Sequence, residues 1–210
     1  MIPQAVLEKQ HTKEFWDWFI RHYPDVEHAY TANDTRWLES NLTPRIQRIQ
    51  SELAWELGPY HDPDYTLVIS PAVRENVPLT ERIVAAAPKI SRWRFVSAKP
   101  AKQLASLAIA LQDIENAEIC ADQWLYRLTQ YNDGEFFDIE VFTDAPTSIK
   151  DEHLEVLTHR LIESLVGERI YLERIGAVTI YRSTDPRSRE KTTKLPLLHE
   201  HMRQLIGEAC

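Results

Sequence analysis

The runs Leu53-Ala54-Trp55-Glu56-Leu57 and Tyr65-Thr66-Leu67-Val68-Ile69-Ser70, then Leu79 to Ala87, then Trp93-Arg94-Phe95-Val96, decide the fold of this chain. Short stretches of β-branched and aromatic residues bounded by turn formers read as strands, and the alanine-rich Leu79 to Ala87 stretch reads as a helix. Residues 53–100 therefore form a strand-strand-helix-strand unit. Toward the C-terminus, Trp124 to Thr129 and Phe136 to Phe142 are predicted strands joined across Asn132-Asp133-Gly134, residues suited to a turn that needs positive φ. Ser148 and Asp151 open a predicted helix as a capping box. Leu154, Leu157, Leu161 and Leu165 form its buried stripe, and Gly167 ends it. Tyr171 to Ile175 and Ala177 to Tyr181 read as strands, with Gly176 marking a bulge. Ala105 to Ile114 leans to strand because Leu107, Ile109 and Leu111 alternate. Residues 105–182 thus repeat the element order of 53–100 without a residue-level repeat, an internal duplication of elements only.

On the N-terminal side, residues 12–52 read as helices. Thr12 is suited to cap the first, Pro24 to end it, and Phe15, Trp16, Phe19, Ile20 and Tyr23 make its apolar face, with Trp18 at the edge. Asp34 to Ser40 and Pro44 to Glu52 read as two helices or one kinked helix, with Thr43 as a cap before Pro44. Leu42, Ile46, Ile49 and Leu53 recur at helical spacing. Residues 183–210 read as a polar loop followed by a helix bearing Leu198, Met202 and Leu205. The fold class expected is α+β: one domain over 1–210 with a mostly antiparallel, twisted sheet and helices packed mainly on one face.

Hydrophobic residues make up 43% and charged residues 27% of the 210, which suits a globular chain and excludes a disordered one. The net charge of −8 disfavours a general nucleic-acid binder, because phosphate contacts need clustered Lys and Arg, and favours a basic partner. Cys120 and Cys210 are too few and too far apart for a disulfide framework. The Met1 to Lys9 segment lacks the pattern of a signal peptide, and no run reaches membrane-spanning length. A cytoplasmic protein without a membrane partner is expected.

Catalytic signals are sparse. If Phe137, Ile139 and Val141 face the core, Asp138 and Glu140 share the opposite face between Phe136 and Phe142, roughly 7 Å apart. Two carboxylates at that separation can serve acid-base work, with His153 contributed from the neighbouring helix; they equally suit a solvent-facing strand surface. The histidine pairs His153 with His159 and His199 with His201 are spaced six and two apart, which does not place two ligands on one helical face, so no metal is expected. Glu155 and His159 read as a solvated surface pair. Cys120 has no basic neighbour and reads as a small core residue. Neither a nucleophile elbow nor a phosphate-binding glycine loop occurs, so no nucleotide or other cofactor is expected. In the polar loop, Arg187 and Arg189, with Lys191 and Lys194, are candidates for contact with a partner or a second copy.

Phe15-Trp16-Asp17-Trp18-Phe19, Leu53 to Leu57, Val68-Ile69-Ser70, Leu79 to Ala87 with Pro88, and Trp93-Arg94-Phe95-Val96 through Lys99-Pro100 together resemble an uncharacterised family of cytosolic bacterial proteins. Gly167-Glu168 and Gly176-Ala177-Val178 are similar as well. The resemblance implies a shared fold and assigns no reaction; the polar loop and final helix lie outside it. The functional expectation is a binding protein that holds a protein partner, suited to be basic, through an acidic, aromatic-edged surface, as an immunity or antitoxin-like protein would. Trp18, Phe136, Asp138, Glu140, Phe142, Arg187 and Arg189 are the candidate contacts. The alternatives are a small hydrolase using Asp138, Glu140 and His153, and a homo-oligomeric structural protein whose sheet edges pair between copies.

Overall fold

The computed structural model describes residues 3–59, 65–102, 107–110, 118–182 and 190–207. It is an α+β protein, and its contacts divide the chain into two compact units, Met1–Lys99 and Pro100–Cys210. The boundary falls where the first strand-strand-helix-strand unit was expected to end.

The N-terminal unit begins with the long helix α1 (Gln4–Thr31), followed by α2 (Thr35–Gln47). Thr12, expected at a cap, is instead buried inside α1, because the helix-forming residues before it continue the helix back to Gln4. Pro24 does not end α1. It lies on the exposed side, where water can satisfy the carbonyl its missing N–H leaves, and Val26 and Ala29 bury the turn beyond it. Likewise α2 passes through Thr43 and Pro44 as one helix; its cap is Asp34, whose carboxylate accepts from the Trp37 N–H at 3.0 Å. A three-stranded sheet follows in the order β1 (Ala54–Gly58), β2 (Tyr65–Ser70), β3 (Trp93–Val96), with α3 (Val77–Ala85) between β2 and β3. Phe15, Trp16, Phe19, Leu42, Ile46, Leu67, Ile69 and Ile83 form its core. Two indoles tie helix to helix and helix to strand: Trp16 Nε1 donates to the Ile83 carbonyl at 2.9 Å, and Trp93 Nε1 to Glu27 Oε1 at 2.8 Å. Ile20, expected in the apolar face, is 48% exposed.

In the C-terminal unit a two-stranded ribbon of β4 (Ala108–Ala110) and β5 (Glu118–Cys120) precedes a four-stranded sheet in the order β8-β7-β6-β9. The hairpin of β6 (Leu125–Tyr131) and β7 (Phe136–Thr143) turns through Asn132, Asp133 and Gly134, all at positive φ as the sequence predicts. Helix α4 (Asp151–Val166) buries its leucine stripe against Phe137, Ile139 and Val141. Ser148 makes no cap bond; Lys150 occupies the cap position. Gly167 ends α4 at φ 86, ψ 147, a conformation nearly restricted to glycine. Residues 168–174, expected to enter a strand from Tyr171, form the short helix α5 (Glu168–Arg174), since Gly167 re-starts helical bonding through the Tyr171 N–H. Strand β8 (Ile175–Arg182) then runs parallel to β7 with a register shift between Phe137 and Ile139, so a bulge sits at Gly176 as expected. After β9 (Thr193–Lys194), helix α6 (Leu198–Ile206) buries Leu198 and Met202, while Leu205 is exposed and Ile206 packs in its place. Cys120 is exposed as well, because strand alternation sends Ile119 to the core.

The two units share more than element order. In each, the first strand pairs antiparallel with the second, a helix follows, and the third strand returns parallel to the second. The pairings are mostly antiparallel, but the strands fall into separate sheets rather than one.

Candidate functional site

On β7, Phe137, Ile139 and Val141 do face the core, which puts Asp138 and Glu140 on the opposite face of the sheet. Both carboxylates are engaged by the unit itself. Asp138 Oδ1 accepts from the Ala177 N–H at 2.9 Å and so caps the bulge. A Cβ on Gly176 would come within 2.7 Å of that oxygen, which is why glycine suits the position. The neighbouring Asp138 carboxylate, through hydrogen bonding first and then through its charge, raises the Tyr131 pKa above its ordinary value. Glu140 Oε2 accepts from both Nε and Nη2 of Arg127, each at 2.7 Å, across the β6 and β7 pair. Phe136 is half-buried, and Phe142 is only 2% exposed, stacked on Tyr181 with ring centroids 5.3 Å apart. His153 lies on the first turn of α4, which packs on the core face, so the sheet separates it from the two acids. The trio Asp138, Glu140 and His153 shares no cleft, and an acid-base pair must converge on one reacting group.

A second surface that combines aromatic residues with a carboxylate exists in the N-terminal unit. Strand β1 is an edge of its sheet, and α2 runs beside it. Between them lies a groove of about 820 Å³ lined by Tyr30, Leu38, Glu39, Thr43, Trp55 and Leu57 among others. The Trp55 indole, which lines it, donates to Thr43 Oγ1 at 2.9 Å. Tyr30 stands at one end, its hydroxyl 4.0 Å from where a Cβ on Gly58 would lie. On the helix, Thr35, Glu39, Thr43 and Gln47 recur every fourth residue and make one wall. Glu39 is exposed and is the one charged residue among the described residues that line the groove.

The remaining candidates lie apart. Trp18 is 8% exposed, with the Arg45 guanidinium 4.2 Å over its ring and the His22 ring stacked at 5.1 Å, so it offers little surface to a partner. Burial lowers the Arg45 pKa. Arg187 and Arg189 lie outside the described residues, as does Cys210. His159 is hydrogen-bonded to the Tyr171 hydroxyl at 2.5 Å rather than standing as a solvated partner of Glu155. His201 Nδ1 meets the hydroxyl of buried Tyr126 at 2.8 Å, and burial pushes that phenol up to about 12. Among the described residues no group of three or more His, Cys, Asp or Glu could hold a metal ion, and no helix is long and apolar enough to cross a membrane.

Reading the sequence alone missed Arg182, which donates to the carbonyls of Ala145, Pro146 and Ile149 and to Asp151 Oδ1, pinning the loop before α4 to β8. It also missed Glu39 and Tyr30, since no local pattern marks a helix wall and a strand edge as neighbours. Compared with known proteins, the chain matches no family model, no curated protein and no solved structure.

Proposed function

We propose that this chain is a cytoplasmic binding protein that holds a basic protein partner, in the manner of an immunity or antitoxin protein, through the acidic, aromatic-edged groove between α2 and β1. The observation that carries this reading is the groove itself: exposed Glu39 lines it together with Tyr30 and Trp55, beside β1, which among the described residues is an edge strand of its sheet. The net charge of −8 supports a basic partner by steering its approach. The acids of β7 serve this role less well, because Arg127 and the bulge already occupy them. The test is a pull-down from native lysate with the folded wild type beside Glu39→Lys and beside Asp138→Lys with Glu140→Lys. A lysine- and arginine-rich partner that is released by salt and lost with Glu39→Lys is expected. Capture that ignores both Glu39 and salt would contradict the reading. The same open edge favours a second reading, a dimer in which β1 of two copies pair; sedimentation of the purified chain distinguishes it.

A further inference from the structure

We infer that β1 accepts an added strand: an extended, lysine- or arginine-bearing segment of the partner lies antiparallel along β1 in this groove, as β9 lies along β6. The inference deepens the binding function proposed above and rests on it. The first support is the internal correspondence. β1 and β6 are the same element of the shared topology, the first strand of a unit whose second strand pairs antiparallel and whose third pairs parallel. On β6 the outer edge carries an antiparallel strand, with Leu125 opposite Lys194 and Tyr126 opposite Thr193, extended by the Leu195 N–H donating to the Trp124 carbonyl at 2.8 Å. Among the described residues no strand pairs with the corresponding edge of β1.

The second support is the geometry of the lining. Leu53, Trp55 and Leu57, at alternate positions on one side of β1, line the groove, and Ala54 lines it with them. The five-residue β1 spans about 17 Å, and the thirteen-residue α2 about 20 Å, so strand edge and helix wall run alongside one another over a comparable length. An added strand would direct alternate side chains toward the helix wall, where Glu39 supplies the charge for a basic one and Leu38 and Leu57 the apolar contact. Main-chain bonds would then supply affinity and the alternate side chains specificity.

The test uses the full chain, isotope-labelled, and the probe Lys-Val-Lys-Val-Lys-Val-Lys with capped ends. Two further versions carry N-methyl groups on all lysines or on all valines. A strand aims alternate amides at its neighbour, so one methylated version should bind at least tenfold more weakly while the other binds as the parent does. The parent should shift the β1 amide signals and slow exchange at alternate β1 positions, and Glu39→Lys should abolish its binding. Equal binding of both methylated versions would overturn strand addition and leave a basic-segment binder standing. No binding by the parent peptide at millimolar concentration would overturn both. A protein that is already dimeric through β1 would assign the edge to a second copy and overturn the inference.

Discussion

The two units lay out the same strands in the same pairings, and they differ in what happens at one edge. In the C-terminal unit the first strand of the motif, β6, pairs with β9 at Leu125 and Tyr126, and the helix side of the sheet is filled by α4 and α6. In the N-terminal unit the corresponding strand, β1, ends the sheet among the described residues, and a polar-walled groove adjoins it. Exposed edges invite pairing, and folds usually cover or blunt them. One topology therefore yields a first strand whose outer edge is paired at Leu125 and Tyr126 and a first strand whose outer edge is unpaired among the described residues. The acidic residues follow the same division: Asp138 and Glu140 are consumed by their own unit, while Glu39 faces the groove.

The core under the β6 and β7 pair should tolerate truncation badly. Phe137→Ala, at a fully buried ring of β7 in the core shared with α4, should cost about 3–5 kcal/mol, read from the urea midpoint, without changing peptide binding at β1. Loss of β1 binding in that variant would break the separation of roles. Tyr126 gives the next effect. Its folded pKa of about 12 lies above the ordinary value near 10, so the neutral phenol's contribution is intact below pH 10 and is lost as pH rises toward 12, a change of roughly 2–3 kcal/mol. Urea midpoints at pH 9 and 11.5 should diverge more in the wild type than in Tyr126→Phe; equal divergence would contradict the buried placement. The smallest effect sharpens the comparison most. Thr193→Pro removes a donor from β9 and should cost about 1–2 kcal/mol while raising amide exchange on β6, making its edge behave like that of β1. An unchanged β6 would mean that β9 does not close the edge.

Strand placement was within reach of local pattern, because alternation and turn chemistry act over a few residues. Tyr65–Ser70, Trp93–Val96 and the Asn132-Asp133-Gly134 turn stand where the sequence predicts them, and the Gly176 bulge is there for the reason expected. Helix ends were harder. Pro24 and Pro44 are exposed, so their lost bonds face water while buried neighbours hold the helix through them. Tyr171 to Arg174 became helical because Gly167 sets the chain direction, a tertiary fact that an apolar run does not carry. On the functional side, the sequence placed Asp138 and Glu140 on one face correctly, but it could not show that Arg127 lies opposite Glu140 or that a backbone amide on β8 reaches Asp138. The groove depends on which strand ends the sheet, and sheet order is not written in any local window.

The most direct measurement is native-state amide hydrogen exchange on the free, full-length chain, resolved residue by residue across β1 and β6. An open β1 edge predicts fast exchange at alternate β1 amides, those directed away from β2, while the β6 amide that bonds β9 in the Leu125 and Tyr126 pair is protected. Protection of every β1 amide to the level of β6 would contradict the account, because the edge would then be covered and no position would be left for a partner strand.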